Sequence, residues 1–130
     1  MVIVTGPRQV GKTWLAKALM PEFTSPQYLN FDNIADAAII NNQSWLIKSD
    51  FLILDEIHKK PQWKKFIKGV YDTRVKNQAI LITGSARLDT FRRGGESLAG
   101  RYFPMRLNPI SVRELKDSVK PDESLALLNR

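Results

Sequence analysis

Residues 2–5, Val-Ile-Val-Thr, run directly into Gly6-Pro7-Arg8-Gln9-Val10-Gly11-Lys12-Thr13, and a helical pattern opens at Lys12. The octapeptide matches G-x-x-x-x-G-K-[ST] in full, in the strand–loop–helix setting that this motif needs. Gly6 leaves the strand through a conformation that a side chain would block. Gly11 lets the backbone come close to anionic oxygens, so that loop amides and the positive helix end surround a β-phosphate. Lys12 is placed to reach β- and γ-phosphates, and the Thr13 hydroxyl to take one position on Mg2+. Residues 6–14 are thus the expected nucleotide-binding segment, with Trp14 at its end packing either into the core or against the edge of the nucleotide.

The rest of the chain supports an α/β domain with a mostly parallel sheet, because apolar runs alternate with helical patterns. Strands are expected at 2–5, 27–31, 51–54, 79–83 and 102–107. The first, third and fourth are unbroken apolar runs, as strands covered on both faces should be. Helices are expected at 12–20, 33–42, 62–76 and 88–93. The third is the clearest, with Trp63, Phe66, Ile67, Val70 and Tyr71 on one face and lysines on the other. A further helix start is read at Pro121-Asp122-Glu123-Ser124, followed by apolar residues up to Arg130, as if a longer element were cut short. The expected organisation is a core over 1–115 and the start of a truncated helical segment over 116–130.

Two more strand ends carry chemistry. Phe51-Leu52-Ile53-Leu54-Asp55-Glu56 is an apolar strand ending in two carboxylates, the Walker B pattern that complements the Walker A loop. Asp55 would hold Mg2+ beside Thr13, usually through water. Glu56 would be the general base for an attacking water, and a P-loop kinase or GTPase has no need of that second acid. Ile80-Leu81-Ile82-Thr83-Gly84-Ser85 ends in hydroxyls beside the expected γ-phosphate position. Ser85 is the first choice for a sensor there and Thr83 the second, with plain turn chemistry as the alternative. Among the arginines, Arg101 follows Ser97-Leu98-Ala99-Gly100 on a short loop. It is the candidate for a guanidinium on the γ-phosphate, in cis or from a neighbouring subunit, against the alternative of a surface arginine. His58 is read as structural or surface.

Composition narrows the function classes. No cysteine and a single histidine exclude disulfide scaffolds, zinc ribbons, thiol nucleophiles and multi-histidine metal sites. No run suits a membrane span or a signal peptide, which leaves the cytoplasm as the default location. Net charge is +7, all of it contributed by 51–130. Lys59, Lys60, Lys64, Lys65 and Lys68 form either a nucleic-acid grip or the wet face of an amphipathic helix.

Taken in order, the loop at 6–13, Leu54-Asp55-Glu56-Ile57-His58-Lys59-Lys60-Pro61 with Trp63, Thr83-Gly84-Ser85, Glu96-Ser97-Leu98-Ala99-Gly100-Arg101, and Asn108-Pro109-Ile110-Ser111 with Glu114 resemble the prokaryotic AAA-superfamily P-loop ATPases. In that family the P-loop domain is usually followed by a domain of unknown function. The resemblance covers about 2–115, and the Ser-Leu-Ala-Gly-Arg and Pro-Ile-Ser-x-x-Glu elements are its more specific parts. It implies a three-layer P-loop NTPase core with strand order 5-1-4-3-2 and ATP with Mg2+ as ligands. It also implies phosphate and Mg2+ roles for Lys12 and Thr13, catalytic roles for Asp55 and Glu56, Ser85 as sensor, and Arg101 in the family's arginine slot. The chain departs from the family in three ways: members are usually much longer, Trp14 stands where a small hydroxyl residue is more usual, and Ala86 where a second serine is common. The function expected is Mg-ATP binding and hydrolysis relayed to a protein partner, a homo-oligomer or a further domain. The alternatives are a nucleotide-binding module without turnover and a nucleic-acid-binding fragment.

Overall fold

The computed structural model describes residues 1–85 and 98–118, with side chains to 115. Five strands, β1 (Val2–Thr5), β2 (Pro26–Asn30), β3 (Phe51–Asp55), β4 (Ala79–Thr83) and β5 (Phe103–Arg106), form one sheet in the order β2-β3-β4-β1-β5. Every pairing is parallel. Read from the other edge this is 5-1-4-3-2, the order that the family resemblance implied. Helices α1 (Lys12–Ala18), α2 (Ile34–Asn42), α3 (Trp63–Thr73) and α4 (Val112–Ser118) complete the described elements, with short 3-10 turns at Met20–Glu22 and Ile57–Lys59.

The period-2 alternation of β3 builds the layers. Leu52 and Leu54 point to one face, where they meet Ile3, Ile40, Ile57, Ile67, Val70 and Ile82. Phe51 and Ile53 point to the other, with Val4, Ala16 and Leu81. Ile67 and Val70 therefore seat α3 on the first face and Ala16 seats α1 on the second, giving helix, sheet and helix. All of β3 is buried. Each fully buried Leu or Ile contributes about 1.5–3 kcal/mol relative to exposure, so this central strand anchors the domain. Phe23 stacks on Phe51 with ring centroids 4.1 Å apart, closing the second layer below β3.

Local chemistry sets the boundaries. Asn33 caps α2, its side chain accepting from the amides of Ala35 and Asp36. The helix expected at 12–20 ends at Ala18, and the chain tightens into a 3-10 turn carrying Pro21 near its start. α3 stops at Thr73, three residues short of expectation, because Arg74 is extended. α4 was not expected. It is opened by a capping box in which the amide and hydroxyl of Ser111 donate to the Glu114 carboxylate (2.8 and 2.7 Å) and the Glu114 amide donates to Ser111 Oγ at 3.3 Å. That gives the Pro-Ile-Ser-x-x-Glu element a physical role. β5 lies at the sheet edge, where Pro104 can sit without robbing a neighbour of an amide donor. The helices expected at 88–93 and from 121 lie outside the described residues. Among those described, no helix is long and apolar enough to cross a membrane.

Because all strands run the same way, Thr5, Asn30, Asp55, Thr83 and Arg106 end at one edge of the sheet, in registered pairs such as Asn30–Asp55 and Asp55–Thr83. In open parallel sheets the ligand crevice lies beyond such carboxyl ends.

Candidate functional site

A cavity of about 590 Å³ opens at that edge, lined from β1 and α1 by Arg8, Gln9, Gly11, Lys12 and Thr13, from β2 by Asn30 and Asp32, and from β3 and β4 by Asp55, Glu56, His58, Lys59 and Ser85. The fold thus brings together residues from four separate stretches of chain.

The loop after β1 is shaped by its backbone. Gly6 has φ 155°, Gln9 φ 61° and Gly11 φ 93°. A Cβ on Gly6 would lie 2.2 Å from the Leu107 carbonyl oxygen, so the chain passes β5 too closely for any side chain. A Cβ on Gly11 would meet nothing within 4 Å, so here the glycine serves the left-handed conformation at the N-cap of α1. Lys12 is buried, and its ammonium donates to the carbonyls of Gly6 (3.1 Å) and Pro7, bracing the loop from inside.

Asp55 is 2% exposed. Burying a carboxylate is tolerable only with donors around it, and it has three hydroxyls. Thr13 Oγ1 donates to Oδ2 at 2.8 Å, Tyr28 Oη donates to the same oxygen at 2.6 Å, and Thr83 Oγ1 donates to Oδ1. Burial, followed by the hydrogen bond to Asp55 and its charge, pushes the Tyr28 phenol well above its usual range. Thr83, the second choice for sensor, is fully buried and committed to Asp55. Ser85 is the hydroxyl of that strand end that faces the cavity. The oxygens of Thr13 and Asp55 are the donor type and spacing that suit a hard cation.

Glu56 follows in the left-handed conformation (φ 57°, ψ 21°), its amide donating to the Thr83 carbonyl at 3.0 Å. Its Oε2 lies 3.2 Å from Lys59 Nζ and 3.6 Å from His58 Nε2, and His58 Nε2 lies 3.3 Å from Ser85 Oγ. The same Lys59 ammonium bonds Asp32. The Asp32 hydrogen bond, opposed in part by desolvation and helped by the hydrogen bond and charge of Glu56, raises the lysine above its ordinary value. His58, read as structural or surface, lies within reach of both Glu56 and Ser85, a position that a structural role also fits.

Two expected site residues stand away from the cavity. Arg101 does not line the cavity: its Nε donates to Asp72 Oδ1 at 2.9 Å, at the last turn of α3. The reason is topological. Arg101 precedes β5, and the register Val2–Phe103 puts it at the amino end of the sheet. The cavity lies one strand length away, roughly 13 Å at the usual rise per residue. In this arrangement Arg101 is turned to Asp72 and away from the cavity of its own chain. Trp14 neither joins the core nor lines the cavity. It is 74% exposed, because α1 turns Lys12 and Ala16 inward and leaves position 14 outside. Of the lysine cluster, Lys59 binds acids and Lys60 binds Asn41 with its ammonium over the Phe31 and Phe66 rings, so these two face their own chain.

Tyr28, Asn30, Asp32 and Lys59 belong to the site and were not singled out for it from the sequence. Only the placement of β2 beside β3 brings the first three to Asp55, and the strand order implied by the resemblance was the one available signal.

Comparisons with known proteins agree with this geometry. The family model described as an AAA domain matches residues 1–116. Uncharacterized proteins of Mycobacterium bovis and Mycobacterium tuberculosis are each 31% identical over 123 residues, covering 91% of this chain and 27% of theirs. The chain thus spans about a quarter of the length of these relatives. Among solved structures, the Thermotoga maritima RuvB Holliday junction branch migration motor superimposes with a TM-score of 0.55 at 26% identity, over 96% of this chain and 43% of that one. A point variant of the same motor matches equally well, at 25% identity. With the loop, the parallel sheet and the acidic strand end in place, the chain belongs to the AAA domain family of P-loop nucleotide-binding proteins.

Proposed function

We propose that this domain binds Mg-ATP and hydrolyses it, and that its nucleotide state is read by a partner or by a further domain. The observation that carries this reading is the 2.8 Å bond from Thr13 Oγ1 to Asp55 Oδ2, which joins the start of α1, just after the glycine loop, to the acidic end of β3 across the intervening β4. In this reading Thr13 donates its proton to Asp55 and keeps an oxygen lone pair for Mg2+, while Asp55 accepts from a water on the ion. The ion would neutralise charge on the β- and γ-phosphates. Lys12 would add those phosphates to its loop carbonyls, with the loop amides and Arg8 around them. Glu56 would take the proton of the attacking water, and Ser85, held through His58, would orient that water.

With Arg101 bonded to Asp72, an arginine supplied by a partner would complete the transition-state site. That suits coupling to a partner and predicts slow turnover by this domain alone. A nucleic-acid role, suggested by the Holliday junction motor among the structural neighbours, would rest on the basic face of α3. Titration of Mg-ATP into wild type and Lys12→Ala tests binding. Wild type should bind at micromolar concentrations and the variant at least tenfold more weakly, whereas equal affinities would remove the loop from the site. Glu56→Gln should keep affinity and lose phosphate release.

A further inference from the structure

Resting on that reading, we infer that Lys59 is the residue that distinguishes a triphosphate from a diphosphate, and that in doing so it releases Glu56. Three carboxylates, Asp32, Asp55 and Glu56, and three cations, Arg8, Lys12 and Lys59, line the cavity. A γ-phosphate entering next to Glu56 adds negative charge where acids already stand, so a cation must turn toward it. Lys12, buried beside the Gly6 and Pro7 carbonyls, would meet the β- and γ-phosphates from the loop end of the pocket, away from Glu56 and Asp32. Arg8 is exposed on the glycine loop itself. Lys59 alone stands among the acids on the β3 side.

Its ion pairs are easily redirected. The Lys59 side chain is 42% exposed and that of Asp32 48%, and exposed pairs of this kind contribute little net free energy. Its second pair, 3.2 Å to Glu56 Oε2, ties up the carboxylate that has to accept the proton of water. Lys59 is three residues beyond Glu56, on the short turn Ile57–Lys59, and its long flexible stem lets the ammonium swing while the backbone stays. With no γ-phosphate bound, Lys59 holds Glu56 and Asp32. With one bound, the ammonium moves to it and Glu56 is free to act. Lys59 is thus a positioning residue for Glu56 as well as a ligand of the terminal phosphate.

The experiment compares Mg-ATPγS with Mg-ADP by calorimetric titration of wild type, Lys59→Met and Lys59→Arg, with melting curves to show that each is folded. Wild type should prefer ATPγS, Lys59→Met should lose about tenfold of that preference with ADP affinity kept, and Lys59→Arg should recover most of it. Those are the sizes expected of one charge-assisted contact at a partly exposed site. A Lys59→Met protein with the full wild-type preference overturns the inference, as does an equal loss for both nucleotides or no recovery in Lys59→Arg. Failure of wild type to bind either nucleotide would instead overturn the ATP reading on which it rests.

Discussion

Adding one methyl group at each of three glycines should give three different outcomes. At Gly69, on the exposed side of α3, a Cβ meets nothing within 4 Å and φ is ordinary. Alanine there should stabilise by about 0.5–1 kcal/mol, because glycine wastes conformational entropy in a helix. At Gly11 there is also open space, but φ is +93°, so alanine carries only backbone strain. That is about 1–3 kcal/mol of destabilisation. At Gly6 the strain at φ +155° is joined by a contact of 2.2 Å with the Leu107 carbonyl oxygen. Ordinary contact needs roughly 1 Å more, and Leu107 cannot yield freely because its amide donates to the Thr5 carbonyl at 2.8 Å. Overpacking of about 1–3 kcal/mol then adds to the strain, for a total of about 2–6 kcal/mol. Urea unfolding followed by tryptophan fluorescence gives the three values directly. A Gly6→Ala protein as stable as Gly11→Ala would show that β5 does not press on the loop, and the account of the β1–loop junction would be wrong.

Two further outcomes follow from the polar contacts. Thr83→Val keeps the shape of a fully buried residue and removes a donor from a buried carboxylate. It should cost about 1.5–3 kcal/mol in urea unfolding, with Thr83→Ser restoring much of it; an unchanged midpoint would mean that Asp55 is satisfied without it. Arg101 holds the Asp72 carboxyl below its ordinary 3.8, and the Ser111 amide and hydroxyl hold Glu114 below 4.5. Both contributions are present above the ordinary values and are lost as pH falls through the lower folded ones. Melting temperature should therefore drop between about pH 5 and pH 3. Asp72→Asn should flatten part of that drop, and Arg101→Ala should leave nucleotide affinity unchanged; weakened affinity would return Arg101 to the site.

All five strands were legible in the sequence to within a residue or so, most plainly those whose burial is written in consecutive residues. β1, β3 and β4 lie where unbroken apolar runs stand, and α3 follows its 3.6-residue stripe. α4 shows no apolar stripe in the sequence, because Val112 and Leu115 are the apolar residues of its seven; its signal is the capping-box spacing of Ser111 and Glu114. Boundaries slipped where one residue decided them, as with extended Arg74 after α3. His58 shows the limit for single residues: nothing in its neighbours along the chain says that it bridges Glu56 and Ser85.

By itself the sequence determined the glycine loop and the chemistry it carries, because spacing within one turn of chain is enough to specify a phosphate cradle. It also determined that Asp55 and Glu56 end a buried strand. The strand order was available from the family resemblance but from no local pattern, and only the tertiary structure decided that Tyr28 and Thr83 hold Asp55, that Lys59 grips Glu56, and that Arg101 lies at the far end of the sheet. Strand order depends on how crossovers pack over both faces, a sum of contacts between residues distant in the chain, and no local pattern encodes that sum.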